Sequence, residues 1–363
     1  MLTFLQRHAT WLQWLLAVVL LTALFWFNRQ GLTELSQREI GWSFFGAAIV
    51  VRFVALCLTF TRWWLLVVGI GLPLKWREAF RLGMFCEGCN FVGPGAAGGD
   101  LVKAVWLAKD NPERRASAAA TVVLDRILGL WALFLSGAMA SLLPTPVPLG
   151  PAMTWAVWLL WGGSAGGLLG LGLMLMPACT HSRLMHWLTT WPGVGHVVKD
   201  LMSSIVLYQE RRHVIAMAAV LSLLGHVGFL SSFYLGAVAL HGDRPIPNFV
   251  DHLVGLPLPE AIAALPLTPG GLGTLEGAVG YFYRQHQQSL EPNSTPALLD
   301  AAEANGLLTA AAYHLAALIL GAIGVVYFFA IRRKVIELQS DLVEVAAPAG
   351  ESARCSVPPR GQS

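Results

Sequence analysis

The sequence predicts an all-α integral membrane protein: six full transmembrane helices plus two re-entrant broken helical elements in an inverted repeat. Three observations carry this expectation: long uncharged apolar runs, a lopsided distribution of Lys and Arg, and two Pro-Gly interruptions of matching form. The 363 residues are 55% hydrophobic and 12% charged, against about 25% charged in an ordinary soluble domain. Composition alone would also fit a large soluble core, so the distribution decides.

Along the chain, residues 11–27 form an uncharged run. Its start is only weakly basic (Arg7, His8), and Phe25-Trp26-Phe27 follows in place of a small-residue cleavage pattern, so it reads as an uncleaved first span. Residues 41–70 form a second run that carries Arg52 and Arg62. Residues 118–143 form a third, interrupted by Asp125 and Arg126, and 154–176 a fourth with no charge. Residues 214–240 and 307–331 complete the set, with His226 and His314 as their ionisable groups. Each reaches or approaches the roughly 20 residues that a helix needs to cross about 30 Å of hydrocarbon. Seventeen Lys and Arg fall in the N-terminus, in the loops around 71–83, 103–116 and 178–213, and in the tail; four fall on the other side. Because short cytoplasmic loops collect positive charge, both termini are expected in the cytoplasm.

Two stretches are neither clean spans nor ordinary loops. Residues 80–107 contain Phe91-Val92-Gly93-Pro94-Gly95-Ala96-Ala97-Gly98-Gly99-Asp100; residues 249–284 contain Leu265-Pro266-Leu267-Thr268-Pro269-Gly270-Gly271-Leu272-Gly273-Thr274-Leu275-Glu276. Each is a short apolar half, a Pro-Gly break and a second half opened by an acid. Pro and Gly at this density end a helix, and irregular backbone at membrane depth survives only inside protein or beside a wet cavity. The charge pattern returns each stretch to the side it left, the first from the cytoplasm and the second from outside, which is the pattern of an inverted repeat with a broken element in each half. The expected organisation is one transmembrane domain over 1–335, with half-repeats at about 1–178 and 211–331, a cytoplasmic linker at 179–210, and a disordered tail at 336–363.

The motifs resemble those of the lysylphosphatidylglycerol synthase transmembrane-region family. The run from Phe91 to Ala104 is similar to its PGGxGGDxxR stretch, Val123-Leu124-Asp125-Arg126-Ile127-Leu128-Gly129 to its LLDRxxG stretch, and 265–277 to its LPxTPGGLGxxEG stretch. Arg62-Trp63-Trp64-Leu65-Leu66 resembles the end of its second span. Lys103 stands where arginine is usual, and Cys86-Glu87-Gly88-Cys89 precedes Asn90 where aromatic and aliphatic residues are usual. The resemblance implies a flippase-like membrane domain that moves lipids or lipid-linked headgroups between leaflets. Bifunctional members add a soluble aminoacyl-transferase domain; the sequence here ends soon after its last span, so lysyl transfer is not expected.

A charge at the centre of a span costs about 2.5–3.5 kcal/mol on insertion scales, so each one calls for a reason. Arg52 is either a substrate contact or the partner of Glu87. Arg62, beside Trp63 and Trp64, is expected to anchor at the interface. Asp125 and Arg126 point about 100° apart on a helix and need separate partners: Asp100 for Arg126, and Lys103 or Arg52 for Asp125. Asp100 and Glu276 open the second halves of the two breaks, where an acid caps free N–H groups or takes part in proton or headgroup coupling. Gly98, Gly99, Gly270, Gly271 and Gly273 are expected to leave amides open to a phosphate oxygen, and Asn90 and Thr268 complete the expected substrate-binding set. His226 and His314 are expected to pack. No phosphate-binding Gly-x-x-x-x-Gly-Lys-Ser/Thr loop and no His-Glu-x-x-His occurs, and Cys86 and Cys89 lack a second pair for a zinc site; no cofactor, metal or nucleic-acid partner is expected. The expected partners are membrane lipids, either an anionic phospholipid or a lipid-linked sugar, in the inner cell membrane. The alternatives are a non-transporting partner of a membrane glycosyltransferase and an intramembrane lipid-modifying enzyme.

Overall fold

The computed structural model describes residues 39–91, 98–144, 150–180, 189, 195–242 and 245–346. Every regular element among these is helical. The helices are α1 (Trp42–Gly69), α2 (Trp76–Cys89), α3 (Gly98–Asp110), α4 (Arg115–Ala140), α5 (Pro151–Leu175), α6 (Gly195–Glu210), α7 (Arg212–His241), α8 (Phe249–Gly255), α9 (Pro257–Ala263), α10 (Thr274–Leu290) and α11 (Pro296–Ala346). Short turns at Pro112–Arg114, Pro177–Thr180 and Pro269–Gly271 connect some of them. Five helical stretches are long and apolar enough to cross a membrane: Trp42–Gly69, Pro112–Ala140, Pro151–Leu175, Arg212–His241 and Pro296–Ala330. They match the second to sixth expected crossings. The first, at 11–27, lies outside the described residues, as does most of the first Pro-Gly break, 92–97. Helix α11 continues to Ala346, past the expected domain edge at 335.

Among the described residues buried side chains form four clusters, two of them large. One gathers Trp63, Leu66 and Ile70 at the end of α1, Leu82 and Cys86 from α2, Leu107 from α3, Leu128 from α4 and Ile215 from α7. The other gathers Leu230 and Phe233 from α7, Leu253 and Val254 from α8, Ala263 from α9, Val279 and Phe282 from α10 and Ala310 from α11. The broken stretch α2–α3 thus belongs to one core and the broken stretch α8–α10 to the other. Helix α6, from the expected linker, docks on the first core: the buried Tyr208 hydroxyl donates to Leu66 O at 2.8 Å, and Gln209 donates to Met174 O and Met176 O.

With hydrocarbon outside, tight helix pairing depends on small residues that let backbones approach. Helices α2 and α11 meet this way: a Cβ on Gly324 would collide with the Met84 carbonyl, and one on Gly321 would lie a tight 3.1 Å from Gly88 Cα. Helix α5 is different. It buries Met153, Leu160, Ser164 and Leu171 and leaves Trp155, Trp158, Leu159, Leu168, Leu169 and Leu173 exposed. In water so continuous an apolar face would drive association; against lipid tails it costs nothing.

Candidate functional site

The two breaks approach one another at the centre of the bundle and line one cavity of about 500 Å³. At the first break, α2 ends in Cys89 and α3 begins at Gly98. Asn90 reaches across the gap, its Oδ1 accepting the Gly99 N–H at 2.9 Å, and its Nδ2 donates to Glu87 Oε2 at 3.4 Å. Gly99 is held so close to the Cys86 carbonyl that a Cβ there would collide with it. Cys86 and Cys89 are free thiols.

At the second break, Pro257 and Pro259 lack N–H donors, and the chain turns from α8 into the short α9. Beyond Thr268, which is fully buried, Gly270, Gly271 and Gly273 adopt φ of 62°, 76° and 82°, a region where a side chain is strained. Glu276 then caps α10: its Oε2 accepts the Gly273 N–H at 2.7 Å. Its other oxygen, Oε1, lies 2.7 Å from His314 Nδ1, and His314 Nε2 lies 3.2 Å from Gly270 O. Phe91, the last described residue before the first break, fills the space where Gly270 would carry a Cβ and meets the His314 ring edge-on.

Four cations and four carboxylates line the cavity: Arg52, Arg62, Lys103 and Arg126 with Glu87, Asp100, Asp125 and Glu260. Arg126 pairs with Asp100, as the sequence leads one to expect, and Lys103 Nζ lies 3.5 Å from the same carboxylate. Arg52 Nη2 donates to Glu87 Oε1 at 2.8 Å, and the guanidinium stacks 4.4 Å over the Tyr313 ring. Its Nε and Nη1 are buried and have no hydrogen-bond acceptor. The Tyr313 hydroxyl donates to Glu260 Oε1 at 3.3 Å.

Four expectations are corrected here. Asp125 pairs with neither Lys103 nor Arg52; its partner is Arg62, with Nε 2.6 Å from Oδ1, while Arg62 Nη1 donates to Ser222 at 3.0 Å. Arg62 is therefore no interface anchor: it is 5% exposed and ties α1, α4 and α7 together. His314 does more than pack, since both ring nitrogens face oxygens. The amides of Gly99, Gly271 and Gly273 are already engaged, by Asn90, Thr268 O and Glu276, so an anion would meet side chains rather than this glycine cradle. Of the residues singled out by sequence, Arg52, Asn90, Gly99, Asp100, Lys103, Asp125, Arg126 and Gly270 line the cavity; Gly98, Thr268, Gly271, Gly273 and Glu276 shape the breaks behind it. Glu260 and Tyr313 were missed, and His314 was expected only to pack. An acid in the otherwise apolar run before Pro266 was the one available signal for Glu260.

A family model for the lysylphosphatidylglycerol synthase TM region matches residues 12–287. The chain belongs to that family. Among curated relatives, a UPF0104 membrane protein of Methanothermobacter thermautotrophicus is 24% identical over 300 residues, covering 77% of this chain and 86% of that protein. No solved structure matches. Family membership and the apolar helices make the chain a multi-pass membrane protein, and the lysylphosphatidylglycerol synthase TM region ties it to lipid-related processes. Both breaks and the Asp125–Arg126 motif fall within the matched residues, whereas Tyr313 and His314 enter the cavity from α11, beyond them.

Proposed function

We propose that this protein is a flippase-like carrier that moves a phosphate-bearing lipid headgroup, of a phospholipid or a polyprenyl-phosphate-linked sugar, between leaflets. In this reading α2–α3 and α8–α10 are re-entrant elements of an inverted repeat in the inner cell membrane, with both termini cytoplasmic. The observation that carries the reading is Arg52. A buried cation with Nε and Nη1 unpaired, on the wall of a cavity inside an apolar bundle, is costly unless an anion completes it. Lys103 and Arg126 both pair with Asp100 on the wall of the same cavity. A headgroup phosphate would meet the open donors of Arg52 while its acyl chains remain in lipid.

The test is reconstitution of the full chain in phosphatidylcholine–phosphatidylglycerol vesicles that carry a trace of headgroup-intact, tail-labelled fluorescent phosphatidylglycerol. Dithionite should bleach nearly all of the label in protein-containing vesicles but only the outer-leaflet share, about half of the total, in protein-free ones. Equal residual fluorescence in the two, repeated with a polyprenyl-phosphate probe, would remove the transport reading.

A further inference from the structure

His314 presents its two nitrogens to two acceptors: Nδ1 to Glu276 Oε1 at 2.7 Å and Nε2 to Gly270 O at 3.2 Å. A neutral imidazole has one N–H and can donate to only one of them. With Glu276 ionised, the second nitrogen would set its lone pair against oxygen. Two arrangements satisfy the geometry. Either the ring is an imidazolium that donates twice, or Glu276 carries the proton on Oε1 and donates to Nδ1 while Nε2–H donates to Gly270. Both hold one proton more than a carboxylate beside a neutral histidine. Glu276 Oε2 is meanwhile committed to the Gly273 N–H at 2.7 Å, so the carboxyl cannot turn away without uncapping α10.

We propose that Glu276 and His314 form a proton-binding site, and that the bound proton clamps the second break against the cavity floor and so makes H⁺ the coupling ion of the carrier. The inference rests on the transport reading for its consequence, although the proton site is read from geometry. When the proton leaves, the ring keeps its stronger, charge-assisted bond to the carboxylate and releases the Gly270 carbonyl. Gly270 is the residue against which Phe91 of the first break is seated, so release on one side frees the junction of both. Ionisable groups on the neighbouring elements are Arg52 on α1, Glu87 on α2, His226 on α7, Glu260 on α9 and Tyr313 on α11. Arg52, Glu87, Glu260 and Tyr313 are linked among themselves, Arg52 to Glu87 and Tyr313, and Tyr313 to Glu260. His226 stacks edge-on with Phe229.

Hydrogen exchange on the full chain in phosphatidylcholine–phosphatidylglycerol nanodiscs, corrected for intrinsic rates, tests this from about pH 5 to about pH 9. Protection of the peptide spanning 265–276 should fall by about tenfold as pH rises, the loss of the one hydrogen bond to the Gly270 carbonyl. Glu276→Gln supplies the missing donor permanently: its amide oxygen accepts from Gly273 and its NH2 donates to a neutral His314, so protection should stay high at every pH. His314→Phe should stay low throughout. A pH-independent parent, or a Glu276→Gln variant that follows the parent, overturns the proposal. The vesicle assay separates the two readings. A pH-dependent clamp without lipid exchange would retain the proton site and remove transport; lipid exchange with a pH-independent clamp would remove the proton site alone.

Discussion

Arg52 is satisfied by Glu87 on one side and stacked on Tyr313 on the other, and this asymmetry can be tested by removing charges singly and together. Arg52→Met leaves Glu87 ionised in a low-dielectric interior and should cost about 3–5 kcal/mol of stability. Arg52→Met combined with Glu87→Met deletes the pair and should recover most of that stability while lipid exchange stays abolished. Thermal unfolding and the vesicle assay on the same preparations check both parts; a double variant that exchanges lipid at the parent rate would show that Arg52 serves the fold alone. At this scale the sequence was partly legible. Any charge in a span needs a partner, and for Arg126 the acid opening a broken helix was the natural one. Arg62 was misread because the adjacent Trp63-Trp64 pair imitates an interface belt. Its partners, Asp125 and Ser222, lie on helices that nothing local brings near. His314 was unreadable for the same reason: a lone histidine in an apolar run gains meaning only once Glu276 is set beside it.

The breaks themselves were plain from Pro and Gly density, but what their amides do was not. Their hydrogen-bond partners arrive from nine residues earlier in one case, Asn90 to Gly99, and three residues later in the other, Glu276 to Gly273, and both occupy donors that a bare glycine pattern offers to a ligand. The consequence for mutagenesis is that bulk here should unfold rather than block. Gly271 combines a φ of 76° with an Ala263 carbonyl 2.9 Å from any added Cβ. Gly271→Val should therefore cost about 1–3 kcal/mol from backbone strain alone, seen as a lower melting temperature and less monodisperse protein on size exclusion. Gly71, also at positive φ but with open space around it, serves as the comparison; Gly71→Ala should cost less. Equal losses at the two positions would mean that the crowding around Gly271 relaxes freely.

For the whole molecule, the described helices place 71–83, 103–116 and 195–213, all carrying Lys and Arg, at the end of the bundle where α1, α3 and α5 finish and α4 and α7 begin. Single cysteines introduced in a cysteine-free background at 103–116 should be shielded from an impermeant thiol reagent in intact cells, and those at 141–153 and 285–302 should be labelled. The opposite pattern would invert the orientation and with it the direction assigned to each break. Five of the six expected crossings were legible because each run is close to one bilayer thick; which side chains pair between the breaks was not, because it depends on how two distant halves are stacked. Helix α5 carries one more consequence. Its outward residues Trp155, Trp158 and Leu169 are 72%, 69% and 64% exposed, so selection there can act on hydrophobicity with little regard to shape. Trp155, Trp158 and Leu169 can be exchanged for other apolar side chains, whereas a single methyl added at Gly324 on α11 would collide with the Met84 carbonyl of α2. The molecule thus divides into a surface that drifts and a seam that cannot, and the boundary between them follows what each side chain faces, not how far it lies from the cavity.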